Sequence, residues 1–136
     1  MNQVTSIAVG FDGSVESETA LRWAAGMARQ SGASLTVLHA SGILERLGSA
    51  FEPDVVPEAV ARIMAEEGID SSRFRWVIEE GDACSALLQC ASEPVSAQVL
   101  VVGSRGHGKR PGTMIGSVSL EVVQHAKVPV VVVPGS

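Results

Sequence analysis

The chain has 136 residues, a formal net charge of −5 and 46% hydrophobic residues, enough for one domain with one buried core. No apolar run approaches the roughly 18 residues that a membrane-crossing helix needs, and an acidic balance without a broad basic face excludes a surface that tracks a polynucleotide. Two cysteines, Cys84 and Cys90, are too few for a disulfide framework and fall on different faces of an expected helix. The first residues, Met1-Asn2-Gln3-Val4-Thr5, lack the basic start and apolar stretch of a secretion signal, so the expected location is the cytoplasm, with no membrane and no nucleic-acid partner.

In chain order, residues 5–10 read as a strand that ends in Asp12-Gly13. A hairpin is excluded because the following segment repeats with a period of 3.6 rather than 2. Ser14 is the expected N-cap, and Glu16 and Glu18 complement the helix dipole. Ala20, Trp23, Ala24, Met27 and Ala28 supply the apolar spacing, and Gly32 ends the helix. Residues 34–40 form a second strand. Residues 41–56, with Gly42, Gly48 and Pro53, read mostly as loop.

Pro57 opens a short helix with Val60, Ile63 and Met64 on one stripe, ended by Gly68. Phe74, Trp76 and Ile78 alternate with Arg73 and Arg75 as a third strand. Asp82 caps a helix bearing Leu87, Leu88 and Ala91. Residues 98–102 form a fourth strand, a helix runs to about Ala126, and Val130 to Val133 close the chain as a fifth strand. Trp23 and Trp76 are expected to cover the sheet. Strands separated by helices imply right-handed crossovers and an open parallel sheet with helices on both faces, an α/β doubly wound fold. Ligands of such sheets sit beyond the carboxyl ends of the strands, where strand order reverses.

The segment after the fourth strand carries the chemistry. Gly103-Ser104-Arg105-Gly106-His107-Gly108 leads through Lys109 and Arg110 to Gly116-Ser117-Val118-Ser119 at the start of a helix. Glycines let amides approach an anion, consecutive N–H groups make a concave nest, and a helix N-terminus adds donors and partial positive charge. Three basic residues in this loop of an acidic chain suit a small anionic ligand. A Walker A loop is excluded: Arg110 stands where its Ser or Thr would be, and Pro111-Gly112 prevents a helix from starting there. A dinucleotide fingerprint is excluded because its third glycine would fall at Pro111.

What remains is G-x2-G-x9-G-S: Gly103, Gly106, Gly116 and Ser117. With the strand Ile7-Ala8-Val9-Gly10-Phe11 before Asp12-Gly13-Ser14, the strand Leu35-Thr36-Val37-Leu38-His39, and the ending Val128-Pro129-Val130-Val131-Val132-Val133-Pro134, the chain resembles the universal stress protein family in its ATP-binding branch. The resemblance implies five parallel strands in the order 3-2-1-4-5. It also implies a stress-response regulator or sensor with little or no turnover, acting on an unknown regulated protein. The implied cofactor is ATP, with or without Mg²⁺, with cyclic AMP or slow ATP hydrolysis as alternatives.

Gly103, Gly106, Gly116, Ser117 and Ser119 match the family's phosphate and ribose contacts, Val118 offers an amide between the serines, and Arg105 and His107 lie inside the loop. Asp12 matches the contact to the nucleoside end, although Asp-Gly after a strand also makes a turn by bonding its own backbone. Ala40 stands where the family presents backbone groups to adenine, usually from Val. The family's last strand pairs with its copy in a second subunit, so the resemblance implies a homodimer through Val130 to Val133. His39 reads as a hydrogen-bonded structural histidine and His125 as a dipole partner at the end of its helix. No histidines or cysteines share metal-ligand spacing. Gln98 replaces an Asp common in the family.

Overall fold

Five parallel strands make one sheet in the order β3-β2-β1-β4-β5. The computed structural model describes residues 3–41, 55–104 and 116–135. In chain order the elements are β1 (Ser6–Gly10), α1 (Val15–Ser31), β2 (Ser34–Ser41), α2 (Glu58–Glu66), a 3₁₀ turn (Ser71–Arg73), β3 (Phe74–Glu80), α3 (Ala83–Gln89), β4 (Val99–Gly103), α4 (Ser117–His125) and β5 (Val130–Val133). The architecture is the one expected from the sequence.

The central strands are apolar on both faces because helices cover both. Ile7 and Val9 of β1, with Val99 and Val101 of β4, face a core completed by α1 and α2. Ala8, Leu100 and Val102 point the other way, into a second core built with Cys84, Leu87 and Val122. The register pairs Val9 with Val37 on one side and with Val101 on the other, so the carboxyl ends of β2, β1 and β4 lie side by side. No helix among the described residues is long and apolar enough to cross a membrane.

Helix α1 starts where Ser14 accepts the Ser17 N–H at 3.1 Å and stops at Gly32, which takes the left-handed conformation with φ of 78°. Its buried stripe is mostly alanine: Ala20, Ala24, Ala25 and Ala28 flank Leu21. Small side chains let the helix axis approach the sheet. Trp23 is not part of that stripe. It is 43% exposed, because its place in the helical repeat puts it on the flank away from the alanines.

Two further expectations need adjusting. Arg73 lies in the 3₁₀ turn before β3, where its guanidinium donates to Ala28 O at 2.8 Å and Ala33 O at 3.0 Å and so occupies carbonyls at the end of α1. Pro57 sits at the N-cap position rather than inside α2. Cys84 and Cys90, expected on different faces of this helix, are both buried in the second core, since α3 is flanked by the sheet and by α4, and both are free thiols. Burial pushes the Cys90 thiol up to about 11, which leaves it protonated and unreactive at neutral pH. Trp76 is half-buried against the first core, as expected.

Gln98, whose consequence the sequence leaves open, joins the start of β1 to the start of β4. Its Oε1 accepts from Thr5 N–H at 2.5 Å and Ser6 N–H at 3.2 Å, and its Nε2 donates to Gln3 O at 3.4 Å. The neutral amide both accepts and donates, a combination that an ionised Asp lacks. Of the segment 41–57, Ser41 extends β2 by one residue and residues 55–57 lead into α2; residues 42–54 lie outside the described residues.

Candidate functional site

Two helix N-termini meet the carboxyl ends of β1 and β4. On the β1 side the ladder continues one step past the strand, with Phe11 N–H donating to Leu38 O at 2.8 Å. Asp12 then turns the chain: its Oδ1 accepts the Ser14 N–H at 2.9 Å, and Gly13 supplies the φ of 86° that the turn requires. The local reading of Asp-Gly is therefore present in the structure, and it sets Asp12 at the switch point between β1 and β4.

On the β4 side, Gly103 has a packing reason to be glycine. A Cβ there would lie 2.8 Å from the Glu16 carbonyl oxygen, closer than real Cβ contacts come. The first turn of α1 rests directly on the end of β4. Ser104, buried next to it, holds two other segments with three bonds: its N–H donates to Val133 O at 2.9 Å, its hydroxyl accepts from Gly135 N–H at 3.3 Å, and its carbonyl accepts from Gly116 N–H.

Gly116 is the N-cap of α4 and has no side chain to cap it. The first intrahelical bond runs from Leu120 N–H to Gly116 O at 3.0 Å, so the amides of Ser117, Val118 and Ser119 precede the helical ladder. Ser117 and Val118 are exposed, while Ser119 is buried with its hydroxyl donating to Gly103 O. That hydroxyl is committed to the protein, which leaves the amide as what Ser119 could offer a ligand. Ala40 is half-buried near the end of β2, in register with Glu79 of β3.

Asp12, Ala40, Gly103, Gly116, Ser117, Val118 and Ser119 are thus brought to one edge of the sheet. Arg105, Gly106 and His107, with Lys109 and Arg110, lie outside the described residues. Among the described residues no group of three His, Cys, Asp or Glu side chains is placed to hold a metal ion. His39 is a buried hydrogen-bonded histidine, as expected, with Nδ1 2.9 Å from Phe11 O. His125 Nδ1 bonds Glu121 O in the last turn of α4.

Two residues of this edge have packing roles that the sequence reading did not give. Glu16 is only 7% exposed, pressed between the ends of β4 and β5. The signal was its phase, since residues 16, 20, 24 and 28 share the buried side of α1. Ser104 gave no signal, because its work is done through backbone and hydroxyl bonds to segments far away in sequence.

The universal stress protein family matches residues 4–134 of the chain. This chain belongs to the universal stress protein family. Universal stress protein Rv1996 of Mycobacterium tuberculosis is 31% identical over 150 aligned residues, covering 94% of this chain and 47% of that protein. The chain therefore spans about half the length of the curated relatives it matches. A universal stress protein solved in complex with cAMP superimposes with a TM-score of 0.74 at 28% identity, covering 97% of this chain and 98% of that one. A family protein of Arabidopsis thaliana with AMP bound shares the fold, with a TM-score of 0.67 at 22% identity over 97% and 92% of the two chains.

Proposed function

We propose that this domain is an adenine-nucleotide-binding regulator or sensor of the ATP-binding branch of its family, with little or no turnover. The observation that carries the reading is the uncapped N-terminus of α4 at the carboxyl end of β4, beside the Asp12 turn. Three amides at a helix start favour a phosphate through hydrogen bonds and the helix dipole together. In this reading Asp12 meets the nucleoside end, Ala40 offers backbone groups to the base, and Arg105, Gly106 and His107 are further candidate contacts for the phosphates. A half-buried Ala in place of Val gives the base less apolar packing, so the phosphates carry most of the affinity. Mg²⁺, where it takes part, is proposed as an ion carried on the phosphates rather than caged by the protein.

Cyclic AMP is the second reading, favoured by the cAMP complex of the relative at 28% identity. Slow ATP hydrolysis would need a water-orienting group, and Asp12 is the obvious candidate. We further propose a cytoplasmic homodimer that docks on a regulated protein. Among the described residues β5 is an edge strand with β4 as its one neighbour, and Pro129 and Pro134 bound the length available for pairing.

The amide argument has a direct test. Gly116 already holds φ of −77° and ψ of 163°, the conformation that a following proline imposes. Proline is also tolerated at the first helical position. Ser117→Pro therefore removes an amide and a hydroxyl with α4 intact, while Ser117→Ala removes the hydroxyl alone. ATP affinity should fall about tenfold more in Ser117→Pro than in Ser117→Ala, the value of a hydrogen bond to a charged group. Equal affinities would remove the helix N-terminus from the site.

A further inference from the structure

Under the Asp12 turn, side chains from three adjacent strands meet. The His39 ring stacks on Trp76 with centroids 6.1 Å apart and planes at 15°, and Trp76 meets Phe11 edge-on at 6.1 Å and 78°. His39 Nδ1 lies 2.9 Å from the Phe11 carbonyl oxygen. A carbonyl only accepts, so Nδ1 carries the proton and donates.

The strand register explains why a side chain is used here. Gly10 opposite Leu38 is the last pair of the β1–β2 ladder. Phe11 N–H still reaches Leu38 O, but the Phe11 carbonyl lies past the ladder, and His39 holds it instead. That carbonyl belongs to the same planar peptide as the Asp12 amide. Holding one end of the plane fixes the direction in which Asp12 leaves the strand. The stack on Trp76 in turn restrains the rotation of the imidazole.

We infer that His39 is a positioning residue: its Nδ1–H grips the Phe11 carbonyl and thereby aims Asp12 at the nucleoside end of the ligand. The inference rests on the nucleotide-binding reading proposed above. A purely structural histidine would support the fold without regard to Asp12, and this separates the two roles.

The test is AMP affinity in a double-mutant cycle of His39→Leu and Asp12→Ala, with His39→Asn as the conservative variant. The Asn amide places a donor near the position of Nδ1. His39→Leu should weaken AMP binding about tenfold in the native background and leave it unchanged in Asp12→Ala, since residues acting as one unit do not add. His39→Asn should recover affinity to within about threefold of the native protein, in keeping with one retained hydrogen bond. Unchanged affinity in His39→Leu, or the same loss in both backgrounds, overturns the inference.

If His39→Leu fails to fold, Trp23→Phe leaves Trp76 as the sole tryptophan. AMP must then change its emission, and no change also overturns the inference. Failure of ATP, ADP, AMP and cyclic AMP alike to bind the native protein would instead refute the nucleotide reading itself, and His39 would fall with it.

Discussion

The N-termini of α1 and α4 lie at the same edge of the sheet, beside adjacent strands, and the chain treats them oppositely. At α1, Ser14 caps the helix, Asp12 caps Ser14, and Gly13 lets the turn close. At α4 the cap is Gly116, whose N–H is turned back to Ser104 O and which has no side chain to offer the amides that follow. One helix end is capped by its own side chain; at the other, no side chain among the described residues caps the amides, and in the proposed reading an anion does.

This contrast can be strained at several points. Gly103→Ala should have the largest effect on stability. Its Cβ would meet the backbone of Glu16 rather than a movable side-chain tip, so α1 must shift on the sheet. The expected loss is about 2 kcal/mol, in the range for overpacking, measured by denaturant unfolding. A loss within error would show that the two elements are not held in contact at Gly103. Ser14→Ala opens the finished helix end and should cost about 1 kcal/mol in the same assay. Because that end binds no phosphate in this account, ATP affinity should stay close to native, while a tenfold fall would erase the distinction between the two termini.

A third cap gives the smallest effect, and it depends on pH. Asp82 accepts the Ser85 N–H at 2.9 Å at the start of α3, and this bond lowers its pKa below the ordinary 3.8. A carboxyl whose folded pKa lies below its unfolded one stabilises the fold above the unfolded value and loses that contribution as pH falls through the folded value. The difference in stability between native protein and Asp82→Ala should therefore be constant near neutrality and shrink below about pH 4. A difference that does not change with pH would mean that the carboxylate is not the capping group.

The alternation of strands and helices was legible because buried parallel strands and amphipathic helices have different periods. Caps were legible for a local reason: Ser14, Gly32 and Asp82 act within a few residues of themselves. Side chains whose partners are distant in sequence were harder to read. Arg73 reads as the polar side of a strand, yet it serves carbonyls at the end of α1, and Gln98 reaches back to residues 3–6. Trp23 shows the limit of spacing alone, since a place at the margin of an apolar stripe leaves a large ring outside.

At the candidate site, the glycine spacing led to the carboxyl edge of the sheet but did not separate two uses of glycine. Gly103 has a packing reason and Gly116 an open cap, and the difference depends on the position of Glu16, which is set by tertiary contact. Ser119 is similar: the resemblance assigned it to the phosphate and ribose contacts, and the structure shows its hydroxyl bonded to Gly103 O.

The most direct measurement is calorimetric titration of the protein with ATP, ADP, AMP and cyclic AMP, with and without Mg²⁺. This account predicts saturable binding of ATP that weakens as the γ and β phosphates are removed, because the amides at the start of α4 carry most of the affinity. Failure of all four nucleotides to bind would contradict it.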